Sequence, residues 1–565
     1  MTYSVDPKQT PLFDPYEPVF SDLAHKRIRG GWQGVFRHAI LDLMPVDALS
    51  GHFDPALGRP TKELYSMAGL VFLMEFEDWT EEKATEAYMF DNAVGYALNL
   101  PVYQRSLSTR TLERYVHIFH EDELAARVQQ EVTGRLCELL ELDVRRQRTD
   151  STHVFSQMAS FGRTRLMGVT IKRFLTQVKR HDAARYQALP EEFRKRYEPS
   201  EHRIFADCAK GEEPRRQLRQ TVAEDMQRLI QWFGEDECHH QRSTFLALVQ
   251  VFEQQCDVVE SKVEVKSHPG GDVIQNPSDP DATRDGHKGP GYQAQLSETC
   301  SPANEVQLIV GAIAQTAVEP DGDAVGPMLD RLESSGLLPE ELLGDTHYGS
   351  DENVEMCAAR GIELVSPVAG TPPEEGVLTI GDFTVDAVSE EILLCPEGHA
   401  PIASHHDHET GKTRTEMDPG VCEGCARREQ CPIQRHGTRR WMEHTPKQRR
   451  LDARRRYQAT PEFKERYGLR NGIESTNSGL KRGPGLGRLR VRRRRSVFHS
   501  ILLKVAGWNI RRAAASRKMR AWVERKMENG AKSLVQLILR AAAMAWCGVR
   551  ARHGTLPRRM ANRNA

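Results

Sequence analysis

Tyr467-Gly-Leu-Arg470-Asn-Gly-Ile-Glu474-Ser-Thr-Asn-Ser-Gly-Leu-Lys481 decides how this chain reads. On a helix at roughly 100° per residue, Tyr467, Arg470, Glu474 and Lys481 fall within about 60° of one another. One face then carries an aromatic hydroxyl, two cations and one carboxylate. Lys481-Arg482 suits the last turn of a helix, where cations meet the dipole, and Gly483-Pro484 stops it. Asn471-Gly472 and Gly479 weaken the interior. Taken alone, a carboxylate flanked by cations reads as a solvated, salt-bridged face.

The spacing Y-x2-R-x3-E-x6-K resembles the signature around the third acidic residue of a large group of bacterial insertion-sequence transposases. These are DDE enzymes with an RNase H-like catalytic core. The resemblance implies two more acids upstream. Asp150 stands where such transposases carry the first, in a D-S-T context within Leu142–Val154. That run is β-like but unusually polar for a central strand. An isolated Asp there reads as a turn or cap residue. Asp345 matches the second acid. Leu342-Leu343 run into it, and an acid at the C-terminal end of a strand lies at the usual active edge of an α/β sheet. His347 departs from the family, which has a small residue there. Ser278-Asp-Pro-Asp-Ala282 and Gly291-Tyr292 also resemble it. The likeness covers most of residues 60–515.

The chain has 565 residues, a length suited to three or four domains. Apolar content of 39% and charged content of 28% are those of a soluble globular protein. A net charge of −1 rules out a global polycation argument for nucleic acid. Charge is segregated instead: Ser475 to Val523 holds no acidic residue and many Lys and Arg. The start, Met1 to Pro7, has no signal-peptide pattern. The run Leu534 to Trp546 is too short and too interrupted to span a bilayer. Eleven Cys without a secretion signal suit a reducing compartment. These features suit the cytoplasm, and the resemblance implies a bacterial, nucleoid-associated protein.

The fold expected is mixed α/β: an RNase H-like catalytic core with a helical N-terminal domain, a helical insertion and a small cysteine-rich insertion. Residues 1–140 read as the N-terminal DNA-binding domain. It has a helix near Trp32–Met44, and another with Leu64, Met67, Ala68, Val71 and Phe72 on one apolar face. A further helix follows Asp78, with Glu81 as its capping-box partner. The next starts near Ser108, with Leu112, Tyr115, Val116 and Phe119 inward. Arg105, Arg110 and Arg114 are exposed on what could be a helix-turn-helix or a plain helical packing module. Residues 141–368 form the first part of the core, interrupted at about 155–270 by helices at Ile171–Arg180, Glu191–Tyr197 and Asp225–Phe233. Strands are expected at Gly291–Leu296, Val306–Val310 and Ile362–Ser366. Residues 369–445 are the cysteine-rich insertion, 446–520 the remaining core helices and basic arm, and 521–565 a helical tail.

Cys422, Cys425 and Cys431 have the C-x2-C-x5-C spacing of a metal knuckle. Cys395, or His399 in its place, would complete a structural Zn²⁺ site. An iron–sulfur cluster or unliganded thiols are the alternatives. A comparable cysteine-bearing insertion occurs in one branch of these transposases. Asp150, Asp345 and Glu474 would hold two Mg²⁺ or Mn²⁺ ions, hard cations that prefer oxygen. In this reading Asp150 bridges the metals and each other acid completes one site. Arg470 and Lys481 would hold DNA phosphates, and Tyr467 would bond a phosphate or buttress the helix. Arg488, Arg490, Arg492, Arg493, Arg494 and Arg495 follow a Gly-rich lead-in, which reads as a mobile arm on the DNA backbone. Function then reads as transposition, with the element's inverted-repeat ends and target DNA as partners. Pairing two ends implies a homodimer or higher. A catalytically silent repressor derived from a transposase, and an RNase H-fold nuclease without strand transfer, are the other readings.

Overall fold

The computed structural model describes residues 2–8, 14–159, 161–201, 203–206, 211–374 and 376–529. They divide into two compact units. The first combines Met1–Leu142 with Asn304–Leu308 and the chain from Leu502; the second combines Asp143–Ala303 with Ile309–Ile501. The expected helix at Leu534 to Trp546 lies outside the described residues. Residues 517–529 are helical.

In the first unit, helix Leu64–Phe76 buries nearly all its side chains rather than one stripe. Its sequence is apolar all round, which makes it a central rather than a surface helix. Helix Glu81–Phe90 is capped by Thr80, whose hydroxyl accepts from the Lys83 N–H. The expected Asp78–Glu81 capping pair does not form. Asp78 takes a left-handed backbone, φ +54°, and its carboxylate accepts from Lys504 Nζ at 3.0 Å. Helix Thr109–Glu121 starts at a Ser108 cap and buries Leu112, Tyr115, Ile118 and Phe119. Val116 stays half-buried, and Ile118 fills the place expected for it.

The second unit is mixed α/β around one sheet. Its strands are β1 (Arg146–Val154), β2 (Gly289–Thr299), β3 (Ile309–Thr316), β4 (Glu341–Leu343) and β5 (Glu363–Val365). Their order is β3-β2-β1-β4-β5, and a short strand, Thr283–Asp285, also pairs with β2. β2 runs antiparallel to β1 and β3, whereas β1, β4 and β5 are parallel. β3 begins later than the expected Val306–Val310; residues 304–308 belong to the first unit.

β1 tolerates much of its polar sequence because several of its side chains are hydrogen-bonded, although both ring nitrogens of the buried His153 have no partner among the described residues. Gln147 Nε2 donates to the Leu337 carbonyl at 2.7 Å, and Thr149 Oγ1 to the Leu296 carbonyl at 3.1 Å. After β1 come α1 (Arg163–His181), α2 (Glu212–Phe233) and α3 (Ser243–Gln255), with two short helices between the first two. They share an apolar core that includes Phe174, Met226, Phe233 and Leu248. α3 adds to the helices expected from the sequence. Beyond β4 lies α4 (Asp351–Ala359). The cysteine-rich insertion folds as a hairpin, Thr384–Val385 with Ile392–Leu394, and a separate four-stranded sheet. Then come α5 (Pro446–Gln458), α6 (Pro461–Gly468), α7 (Gly472–Arg482) and α8 (Arg494–Ala515), the last crossing into the first unit at Leu502.

Candidate active site

The stretch from Tyr467 to Lys481 is not one uniform helix. α6 ends at Gly468, a 3₁₀ turn covers Leu469–Asn471, and α7 begins at Gly472. Asn471-Gly472 favours the interruption, and packing requires it. A Cβ on Gly472 would lie 2.1 Å from Arg148 Nη1. That guanidinium donates to the Leu469 carbonyl at 2.7 Å and pairs with Glu298 at 2.6 Å. Glu298 is fully buried and also accepts from Thr476 Oγ1 at 2.6 Å. One buried cluster thus docks α7 on β1 and β2. Sequence reasoning missed it. The available signal was the strand period, which puts Arg148 and Asp150 on the same face of β1.

The docking brings Asp150 on β1, Asp345 just beyond β4 and Glu474 on α7 around Arg470. Arg470 Nη2 lies 2.8 Å from Asp150 Oδ1 and 3.8 Å from Asp345 Oδ2; Nη1 lies 3.3 Å from Glu474 Oε1. Asn477 Nδ2 donates to the other Asp150 oxygen at 2.9 Å. Asn477 is a residue that sequence reasoning missed, though it shares a helix face with Glu474 three residues earlier. Asp345 Oδ1 accepts from the His347 N–H at 2.8 Å, and the Asp345 carbonyl from Ser366 Oγ at 2.6 Å. Burial raises the Asp150 pKa, while Arg470 works in the opposite direction. Side-chain exposure rises from 14% at Asp150 to 27% at Asp345 and 66% at Glu474, so the cluster opens to solvent on the helix side. Tyr467 stacks on Phe463 at 5.4 Å, and burial raises its hydroxyl pKa. Lys481 is exposed.

Residues 394–514 match the family model described as a transposase DDE domain. Over that span the chain is similar to a transposase DDE domain. The matched span holds the cysteines, the Tyr467–Lys481 stretch and the basic segment; Asp150 and Asp345 lie before it. No curated protein and no solved structure matches the chain.

Among the described residues, no group of three or more His, Cys, Asp and Glu side chains stands arranged to hold a metal ion. At the three acids, the point of convergence belongs to a cation, the Arg470 guanidinium. The donors there are all carboxylate oxygens, which suits Mg²⁺ or Mn²⁺. In the insertion, Cys395, His399, Cys422, Cys425 and Cys431 line one cavity of about 30 Å³. Cys395 Sγ accepts from the His399 N–H at 3.4 Å across a turn closed by Gly398, φ +82°. Thiols and imidazole are the right chemistry for Zn²⁺, although their present arrangement is not a ligand shell.

The basic segment is not the loose arm its glycines suggested. The Phe155 N–H donates to the Gly487 carbonyl at 3.0 Å, the Leu489 N–H to that of Phe155 at 2.8 Å, and the Gln157 N–H to that of Val491 at 3.0 Å. It is therefore pinned beside the end of β1, with one parallel bridge between Phe155 and Arg488. Arg488, Arg490, Arg492 and Arg493 are exposed along it, as are Arg494 and Arg495 at the start of α8. In the first unit, Arg105 is tied to the Asp91 carbonyl at 2.8 Å and to Asn92 at 2.6 Å. Arg110 and Arg114 instead line a cavity of about 660 Å³ with Arg59 and Lys62. No helix of the described residues is long and apolar enough to cross a membrane.

Proposed function

We propose that this protein is a transposase that cuts and joins the DNA ends of its own insertion sequence, using Asp150, Asp345 and Glu474 as ligands for Mg²⁺ or Mn²⁺. The observation that carries the reading is the single guanidinium, Arg470, beside all three acids, which come from three distant parts of the chain. The strand order β3-β2-β1-β4-β5, with β2 antiparallel to both its neighbours, supports an RNase H-like core. When bound, a divalent cation would activate the attacking water and offset charge on the leaving 3′ oxygen.

The chain's own residues supply the rest. Asn477 fixes one oxygen of Asp150, and the other, which accepts from Arg470, is the one a metal ion would take over. The buried Arg148–Glu298–Thr476 cluster holds α7 at its distance from β1, which sets the gap between Glu474 and the two aspartates. Lys481 and the basic segment offer positive charge to the DNA backbone. In the Zn²⁺ branch of the proposal, the cysteine insertion is closed by a structural ion. Two copies would act when two ends are paired.

The test is paired on the same preparations. Asp150→Asn, Asp345→Asn and Glu474→Gln should each reduce nicking of the element's end by about 10²–10³-fold or more, the loss typical of removing a group that stabilises transition-state charge. Binding in a gel-shift should survive. Mutants that nick as fast as the parent would remove the active-site assignment. A parent that binds ends but never cuts them with any divalent metal would favour a repressor.

A further inference from the structure

The helical insertion has no part in the chemistry above, yet it meets the basic segment at a cavity of about 350 Å³. Arg173 of α1, Ser243 and Thr244 of α3, Ser278, Arg492 and Arg493 line it. With Thr170 of α1, three guanidiniums and four hydroxyls therefore converge from four separate stretches of chain. No Asp or Glu is among the described residues that line it. The nearby carboxylates are engaged. Glu201 takes Arg173 through Nε at 2.8 Å and Nη2 at 2.9 Å. Asp279, fully buried, accepts from Ser156 Oγ and the Tyr292 hydroxyl, each at 2.5 Å, and from the Arg493 N–H at 2.8 Å. Only the Arg173 guanidinium of the three is thus ion-paired among the described residues, while Asp279 takes the Arg493 N–H and not its side chain.

The cavity is built rather than incidental. Arg493 has φ +70°, uncommon for a residue with a side chain, and its N–H is held by the buried Asp279. The bend puts the consecutive Arg492 and Arg493 on one rim. Arg492 is further fixed by donating its Nε to the Gln157 carbonyl. Thr244 Oγ1 is enclosed and has no hydrogen-bond partner. α3 also begins without a side-chain cap, and the N–H groups of Ser243 and Thr244 precede its first internal bonds. A buried hydroxyl without a partner is costly, and a ligand oxygen would relieve it.

We propose that this cavity grips a backbone phosphate of duplex DNA, making the helical insertion part of the DNA-binding surface. The inference rests on DNA being the substrate, as in the reading above. Gln157 lies seven residues along the β1 line from Asp150. At about 3.3 Å per residue that is at most roughly 23 Å. A strand rising about 3.4 Å per nucleotide would place the gripped phosphate within about seven nucleotides of the scissile one.

The test uses the full chain without divalent metal and a duplex of arbitrary sequence at low salt. Ser243 is exposed, so the thiol of Ser243→Cys should react with a maleimide, followed at that position by mass spectrometry. Duplex at on the order of 100 times its Kd should slow the reaction about tenfold or more. Arg492→Gln with Arg493→Gln should abolish the protection and lower the log–log salt slope of binding by about 0.9 for every phosphate no longer held. An alkylation rate unchanged by saturating duplex would overturn the proposal. If the parent nicks DNA while duplex leaves the introduced thiol unprotected, the cavity is excluded and the transposase reading stands. Protection in a protein whose parent never nicks would do the reverse.

Discussion

Arg470 carries one charge and faces three carboxylates. Its surroundings are partly buried, so each pairing counts for more than one at the surface would. Burial works against the guanidinium charge, and Asp150, Tyr467 and Asp345 outweigh it. Without metal, the arginine offsets repulsion among the acids. With metal, it competes. Arg470→Gln should therefore tighten Mn²⁺ binding, by on the order of tenfold in calorimetric titration without DNA. Asp150→Asn should weaken the same binding. An Mn²⁺ affinity indifferent to Arg470 would mean that the metal binds elsewhere. Nicking by Arg470→Gln should still fall if the released guanidinium goes on to hold a phosphate.

At the scale of the element, the decisive feature is how α7 sits on β1. Two glycines bracket the 3₁₀ turn and face different surroundings. Gly468 is helical, φ −56° and ψ −28°, and a Cβ there would meet nothing within 4 Å. Gly472 faces the Arg148 guanidinium, with no room for a Cβ. Helix propensity alone predicts that alanine helps at both sites, by up to about 1 kcal/mol. Packing reverses the sign at the second. Gly468→Ala should raise stability in urea unfolding by a few tenths to about 1 kcal/mol. Gly472→Ala should lower it by about 1–3 kcal/mol, as overpacking does, and slow nicking because Glu474 moves with α7. Shifts of the same sign would contradict the docking of Arg148 beneath the helix.

For the whole molecule, the cysteine insertion tests whether a second metal belongs to this protein. Protein purified without chelators should carry about one Zn per chain, lost in Cys422→Ser with Cys425→Ser. Elemental analysis finding neither Zn nor Fe would end that reading, and four free thiols would then be the insertion's ordinary state. The sequence by itself determined the local features: the Tyr-Arg-Glu-Lys spacing, an acid in or after each of two strands, the acid-free basic stretch and the knuckle spacing of the cysteines. Each is a matter of neighbours along the chain, where periodicity and spacing speak directly. It also misled locally. A Gly-rich lead-in suggested a mobile arm, and apolar periodicity suggested a one-faced helix at Leu64–Phe76. Only the tertiary structure decided what pairs with what. Arg470 meets Asp150 across 320 residues, and Arg493 meets Asp279 across 214. No pattern in a window of sequence reports such pairings, because they arise when sheet order and insertion packing bring distant segments together. The same physics hid Arg148, Glu298 and Asn477. They are ordinary polar residues until folding buries them, and burial is what makes their hydrogen bonds matter.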